Sequence, residues 1–127
     1  MGASEYLANA ILGHIVGKTA FAMPTGFLGL STTDPATAVT EPAGGGYARK
    51  QTSGSDWNTP ASKALTNAAI IAFAQASGSW GTPAWAVMYD ALTGGNELAS
   101  GAIGTPAAIG SGDTARFPAG DITLTMN

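Results

Sequence analysis

His14 is the only imidazole in the chain and there is no cysteine, and these two facts decide most of the chemistry available to it. Thiolate nucleophiles, thiolate metal sites and disulfides are excluded. A histidine-rich zinc site within one chain is excluded as well, as is any acid–base scheme that needs two imidazoles. A serine nucleophile would have to be Ser79, in Ser77-Gly78-Ser79-Trp80-Gly81. That run has Ser77 where a nucleophile elbow needs its first glycine. Its base would have to be His14, which falls within a helical pattern. Ser79 is therefore read as a turn residue and His14 as part of a helix surface.

Other candidate sites fail on context. Gly110-Ser111-Gly112-Asp113-Thr114-Ala115 matches G-x-G-x-x-A, but a dinucleotide site needs a strand before it and a helix after it. Pro118 and Gly120 follow at once, so a hairpin turn in which Asp113 bonds its own backbone is the better reading. Asp90, Asn96 and Glu97 flank one loop and offer oxygen ligands, but their spacing matches no calcium loop. Glycosidase chemistry needs two carboxyls about 5 to 9 Å apart in a cleft. The eight acids are instead spread along the chain, mostly beside turn glycines or prolines. Trp57, Trp80 and Trp85 could form a sugar-stacking platform. Trp85 has the alternation of a core strand, however, and core or subunit packing explains the three better. Arg49 is one of two arginines. In so uncharged a chain it calls for a designated carboxylate, with Asp56, Asp90 and Asp113 as candidates. Its expected role is a strut within the fold or across a subunit contact.

The composition points to the same class. The chain has 127 residues, of which 45% are apolar and 10% charged, with a net charge of −3. Soluble domains carry about 25% charged residues, and disordered chains lack apolar ones. The deficit is read first as surface that meets other protein, the alternative being a small secreted or thermally undemanding domain that tolerates a neutral surface. The acidic balance argues against a nucleic-acid face. The apolar stretch from Tyr6 to Val16 is too short for a bilayer, which needs about 20 residues. It lacks the basic start of a signal peptide, so synthesis in the cytoplasm and no membrane contact are expected.

The elements that must position these residues follow from periodicity. Residues 4–17 form the one clear helix, with Ser4 as N-cap, Glu5 at the positive end of the dipole and Gly17 past the end. Leu7, Ile11 and Ile15 give it an apolar stripe, expected to bury against the body or a neighbouring subunit, with Tyr6 beside it. Strands are expected at 27–33, 47–53, 70–74, 84–90, 97–103, 114–117 and 122–126. A surface loop covers 34–46. Trp85, Val87 and Tyr89 share one face of their strand, and Ala84, Ala86 and Met88 the other. Strands separated by Gly/Pro turns predict one domain over 1–127, an antiparallel, jelly-roll-like β-sandwich with one N-terminal α-helix.

Several short runs in fixed order carry a resemblance: Tyr6-Leu7-Ala8-Asn9-Ala10-Ile11-Leu12, Gly17-Lys18-Thr19-Ala20-Phe21, Leu30-Ser31-Thr32-Thr33-Asp34-Pro35, Glu41-Pro42, Gly44-Gly45-Gly46-Tyr47-Ala48-Arg49, Gly78-Ser79-Trp80-Gly81 and Gly112-Asp113-Thr114. Together they resemble small virion proteins of tailed bacteriophages, a group that includes tail fibre proteins and capsid decoration (cement) proteins. Phe73-Ala74 departs from the Phe-Pro that often precedes the Gly-Ser-Trp-Gly turn there, and Ala68, Ala69 and Ala86 stand where β-branched residues are usual. The resemblance implies a β-rich structural protein without catalysis or cofactor. The first expectation is a capsid decoration protein, a homotrimer on the major capsid protein at the virion surface. The alternatives are a tail or head-fibre component with a receptor-binding role, and a small carbohydrate-binding module.

Overall fold

Ser4 opens the helix as its sequence promised. In the computed structural model, which describes residues 3–125, α1 runs Glu5–Ile15 and the Leu7 N–H donates to Ser4 Oγ at 3.1 Å. Gly17 takes φ +76°, the left-handed conformation that ends a helix cheaply when no Cβ is present. The Lys18 N–H then donates back to the Gly13 carbonyl at 2.9 Å.

Eight strands follow: β1 Phe27–Ser31, β2 Lys50–Gln51, β3 Ala64–Thr66, β4 Ile71–Ala72, β5 Trp85–Tyr89, β6 Glu97–Ala102, β7 Arg116–Phe117 and β8 Thr123–Thr125. Four make one sheet in the order β2-β1-β5-β6, while β3 pairs with β8 and β4 with β7 as two-stranded ribbons. All pairings are antiparallel. The fold is thus mainly β with a single helix, as expected, although the layer facing the sheet is two ribbons rather than one continuous sheet. Leu28, Leu30, Ala86, Met88 and Leu98 from the sheet meet Ile71, Phe73, Phe117, Ile122 and Leu124 from the ribbons and their flanks in one core. Burying each such side chain is worth about 1.5–3 kcal/mol.

The body closes tightly where β8 crosses β6. A Cβ at Gly101 would collide with the Thr123 carbonyl, so backbone lies against backbone there. Ile103 and Ile122 form a bridge just beyond. Asn67, fully buried, stitches the break between β3 and β4 to the segment before β8. Its Nδ2 donates to the carbonyls of Ala69, Phe117 and Pro118 at 2.9, 3.1 and 2.8 Å, and its Oδ1 accepts from the Ile122 N–H at 3.0 Å.

Three expectations are corrected. The strand at 47–53 shrinks to Lys50–Gln51, because Tyr47 and Arg49 are held by side-chain bonds described below. The strand expected at 70–74 is only Ile71–Ala72, and a further strand, Ala64–Thr66, precedes it in the other ribbon, with Asn67 just after it. Strand β5 is buried on both faces from Ala86 to Tyr89, since it is central in its sheet and the segment 41–49 covers the side away from the core. Trp85 lies on that covered side and is half-buried rather than a core residue. At the far end of the chain, Ile122 and Leu124 are buried between half-buried Thr123 and exposed Thr125, as alternation requires. Met126 lies outside the described residues. No helix among these residues is long and apolar enough to cross a membrane.

Candidate functional site

Arg49 finds its carboxylate, but in Glu41 rather than in Asp56, Asp90 or Asp113. Its Nε and Nη2 donate to Glu41 Oε1 and Oε2 at 3.0 and 2.9 Å, the two-pronged geometry in which Arg–carboxylate pairs are strongest. Its Nη1 donates to the carbonyls of Ala91 and Gly94 at 2.9 and 2.8 Å, and its guanidinium carbon lies 3.5 Å from the centre of the Tyr89 ring. The Tyr47 hydroxyl donates to Glu41 Oε1 at 2.7 Å and accepts from the Leu30 N–H at 2.9 Å. Arg49 therefore joins the 41–49 segment to the tip of the β5–β6 hairpin, and Tyr47 ties the same carboxylate to strand β1. The tip presents Leu92, half exposed, on a backbone that Arg49 holds still. Arg49 thus spends its donors within its own fold.

The electrostatics follow from this packing. Burial pushes the Glu41 carboxyl up, but hydrogen bonds from Arg49 and Tyr47 outweigh it and hold the group below its ordinary value. Glu41 in turn raises Arg49, and burial followed by the Glu41 bond pushes the Tyr47 hydroxyl far up. Burial also raises Tyr89. The cluster thus keeps one ion pair and neutral phenols across the ordinary pH range.

Gly29 makes room for the cluster. A Cβ there would lie 2.8 Å from Glu41 Oε1 and 3.1 Å from the Tyr47 hydroxyl. Gly29→Ala is therefore expected to push the carboxylate off its arginine and cost about 1–3 kcal/mol. Urea unfolding measures the loss, and faster amide exchange at 91–94 would locate it at the hairpin tip.

Asp90, Asp113 and Asp56 serve turns. Asp90 accepts from the Asn96 N–H at 2.7 Å and from Asn96 Nδ2 at 3.0 Å, and these bonds lower its pKa. Asp113 accepts from the Gly110 N–H at 2.8 Å, the turn anticipated for that glycine-rich run. Asp56 accepts from the Ser53 N–H at 2.8 Å. Among the described residues no three metal-ligating side chains come together. Ser79 Oγ accepts from the Gly81 N–H at 3.2 Å and His14 Nδ1 from the Phe21 N–H at 3.1 Å, so each is engaged locally.

The three tryptophans lie in three settings. Trp80 is 3% exposed, edge-on to Tyr47 at 5.2 Å between centroids, and its Nε1 donates to the Gly45 carbonyl at 2.8 Å. No sugar ring can stack on it. Trp57 is half-buried against the core, with Nε1 donating to Thr52 Oγ1 at 3.2 Å. Trp85 lies on the other side of the sheet. They do not make one platform.

The helix stripe is only partly covered. No residue of α1 is buried. Leu7 and Ile11 border an apolar groove of about 430 Å³, opposite Phe21, Leu65, Leu98 and Leu124. Tyr6 faces a second hollow with Asn9, Thr19 and Phe21. Ile15, expected to complete the stripe, is 68% exposed, because the helix runs past the edge of the body by its last turn.

The family model for Gp80, described as podophage GP4 fiber I protein gp80, matches residues 2–125. The chain belongs to the Gp80 family. It is therefore a bacteriophage structural protein associated with the virion. No curated protein matches it.

For this Gp80 chain the sequence reasoning missed three residues that organise the site. Glu41 lies in a loop of Pro, Ala and Gly, where no periodicity marks it as the arginine's partner. Its signal was isolation: it is the only charge between Asp34 and Arg49, and Gly44-Gly45-Gly46, all at positive φ, turn the chain back between them. Tyr47 falls in the run 47–53 that reads as a strand. Asn67 carried no local sign, since its four partners are up to 55 residues away.

Proposed function

We propose that this chain is a non-enzymatic structural subunit of a podophage virion fibre, working as a homo-oligomer and held to its neighbours by protein–protein contacts. The match to a fiber I family model over residues 2–125 carries this reading. The buried charges support it, because Arg49 and Glu41 spend their bonding capacity on each other and on the fold, which is the use expected of structural rather than catalytic groups. A second reading has one observation behind it. The 10% charged composition suits a decoration protein spread over the capsid shell on the major capsid protein, which it would stabilise by binding linkage.

Antibody-labelled virions viewed by electron microscopy distinguish the two. Label at discrete fibre attachment points is the expected result, and label spread evenly over the shell would replace the fibre reading with decoration. In both cases attachment is expected to be apolar. Surface charge is screened beyond about 10 Å at 0.1 M salt, whereas apolar burial is not weakened. Occupancy on purified particles should therefore change little between about 0.1 M and about 1 M sodium chloride. Loss of most of the protein at high salt from intact particles would show that the contact is ionic.

A further inference from the structure

A flank of α1 carries a second apolar seam. Leu7 and Ile11 border the groove toward the body, whereas Ala8, Leu12 and Ile15 follow one another at spacings of four and three along the adjoining flank, about a quarter-turn around the helix. Ala8 is exposed, and Leu12, Ile15 and the adjoining Val16 are 58%, 68% and 67% exposed. That alternation of spacings is the pattern by which one helix packs along another. The helix is 11 residues long and buries none of them, shorter than the roughly 12–15 residues at which isolated helices begin to hold.

We propose that a second copy of the same chain covers this seam, with α1 packed antiparallel on α1. Charge complementarity selects both the partner and the direction. Glu5 stands at the start of the helix and Lys18 just past its end, and both are exposed. A two-fold axis passing between positions 11 and 12 brings the Glu5 end of each helix to the Lys18 end of its partner. The same axis sets small Ala8 against Ile15, and Leu12 beside its own copy at the centre. Parallel packing would instead place Glu5 beside Glu5 and Lys18 beside Lys18. The antiparallel arrangement also opposes the two helix dipoles. The chain exposes 6811 Å², against about 6,200 Å² expected for a folded monomer of its mass. Leu12, Ile15 and Val16, each more than half exposed, are apolar surface that such a contact would cover. Glu5, Asn9, Lys18 and Thr19 provide a polar rim. The inference goes beyond the placement on the virion and does not depend on it.

Light scattering on the purified chain tests it first. The expected mass is twice the 12.6 kDa of one chain, and Leu12→Glu should halve it while leaving the far-UV spectrum and melting curve of the body in place. A monomeric parent at about 100 μM, above the weak end of stable association, or a trimeric one, would overturn the proposal. So would a Leu12→Glu chain that remains a dimer. The absence of native cysteine permits a second test that needs no unfolding control. Under mild oxidation, Ala8→Cys mixed with Ile15→Cys should cross-link readily, and Ala8→Cys alone should not. Efficient linkage of Ala8→Cys to itself would show a parallel assembly and refute the antiparallel one.

Discussion

Asn67→Ala should lower the unfolding free energy by about 3–4 kcal/mol, the largest loss expected from any single polar truncation in the chain. The two Nδ2 hydrogens are shared among three carbonyls, and Oδ1 accepts one N–H. Removal of the side chain strands these groups where the core packs around Phe117 and Ile122, both buried. Leaving a buried donor or acceptor unpaired costs about 1–3 kcal/mol each, and partial rearrangement or entry of water recovers part of the sum. A melting temperature lower by roughly 10 °C or more should accompany the change. Asn67→Asp separates the two halves of the bonding, because it keeps the acceptor for Ile122 and loses the donors. It should fall at least as far as alanine, with a carboxylate now facing three carbonyls. An alanine variant within about 1 kcal/mol of the parent would mean that the segments 67–69 and 117–122 hold together without this side chain.

Arg49→Met should cost about 2–4 kcal/mol, for a different reason. Methionine retains much of the apolar stem but leaves Glu41 partly buried with only the Tyr47 hydroxyl, and it releases the carbonyls of Ala91 and Gly94. Adding Glu41→Gln to Arg49→Met should cost less than it does alone, because the orphaned charge is then gone. A double-mutant cycle with no coupling would show that the pair contributes nothing beyond its packing. The pH dependence has a definite sign. Glu41 is held below its ordinary value of 4.5 in the folded chain, so the unfolded chain binds the extra proton first as pH falls. The stabilisation is complete above the unfolded value and is lost as pH drops through the folded one. Acid titration of the parent should show this loss, and Arg49→Met should lack it.

The course of the chain was legible wherever a local signal sufficed. Ser4, Glu5 and Gly17 marked the helix because caps act within one turn. The glycine pairs marked the hairpin tips, and alternation at 122–125 marked the last strand. The misreadings have a shared origin in contacts between distant segments. Alternation failed for β5 because neighbours cover both of its faces. Residues 47–49 left the strand pattern because Tyr47 and Arg49 bond sideways to Glu41. Ile15 had the spacing of a buried residue, but spacing defines a face and does not say what covers it. At the site, the need for an arginine partner was readable from the scarcity of charge. Which acid met that need depended on the turn at 44–46, which no periodicity encodes.

The two ends of the described chain bear on how force would travel through the body. Ala3 bridges to Ala99 in the middle of β6, and β8 crosses the same strand at Gly101. Both ends therefore come in beside one strand, and Ala3 and Thr125 border the same groove. A pull applied to them would pass through β6 and its immediate contacts and bypass β1, β2 and the Arg49 clamp on the far side of the sheet. Under tension the body would behave as a short link loaded at one edge. The hairpin tip with Leu92 would keep its shape while the loaded edge began to yield.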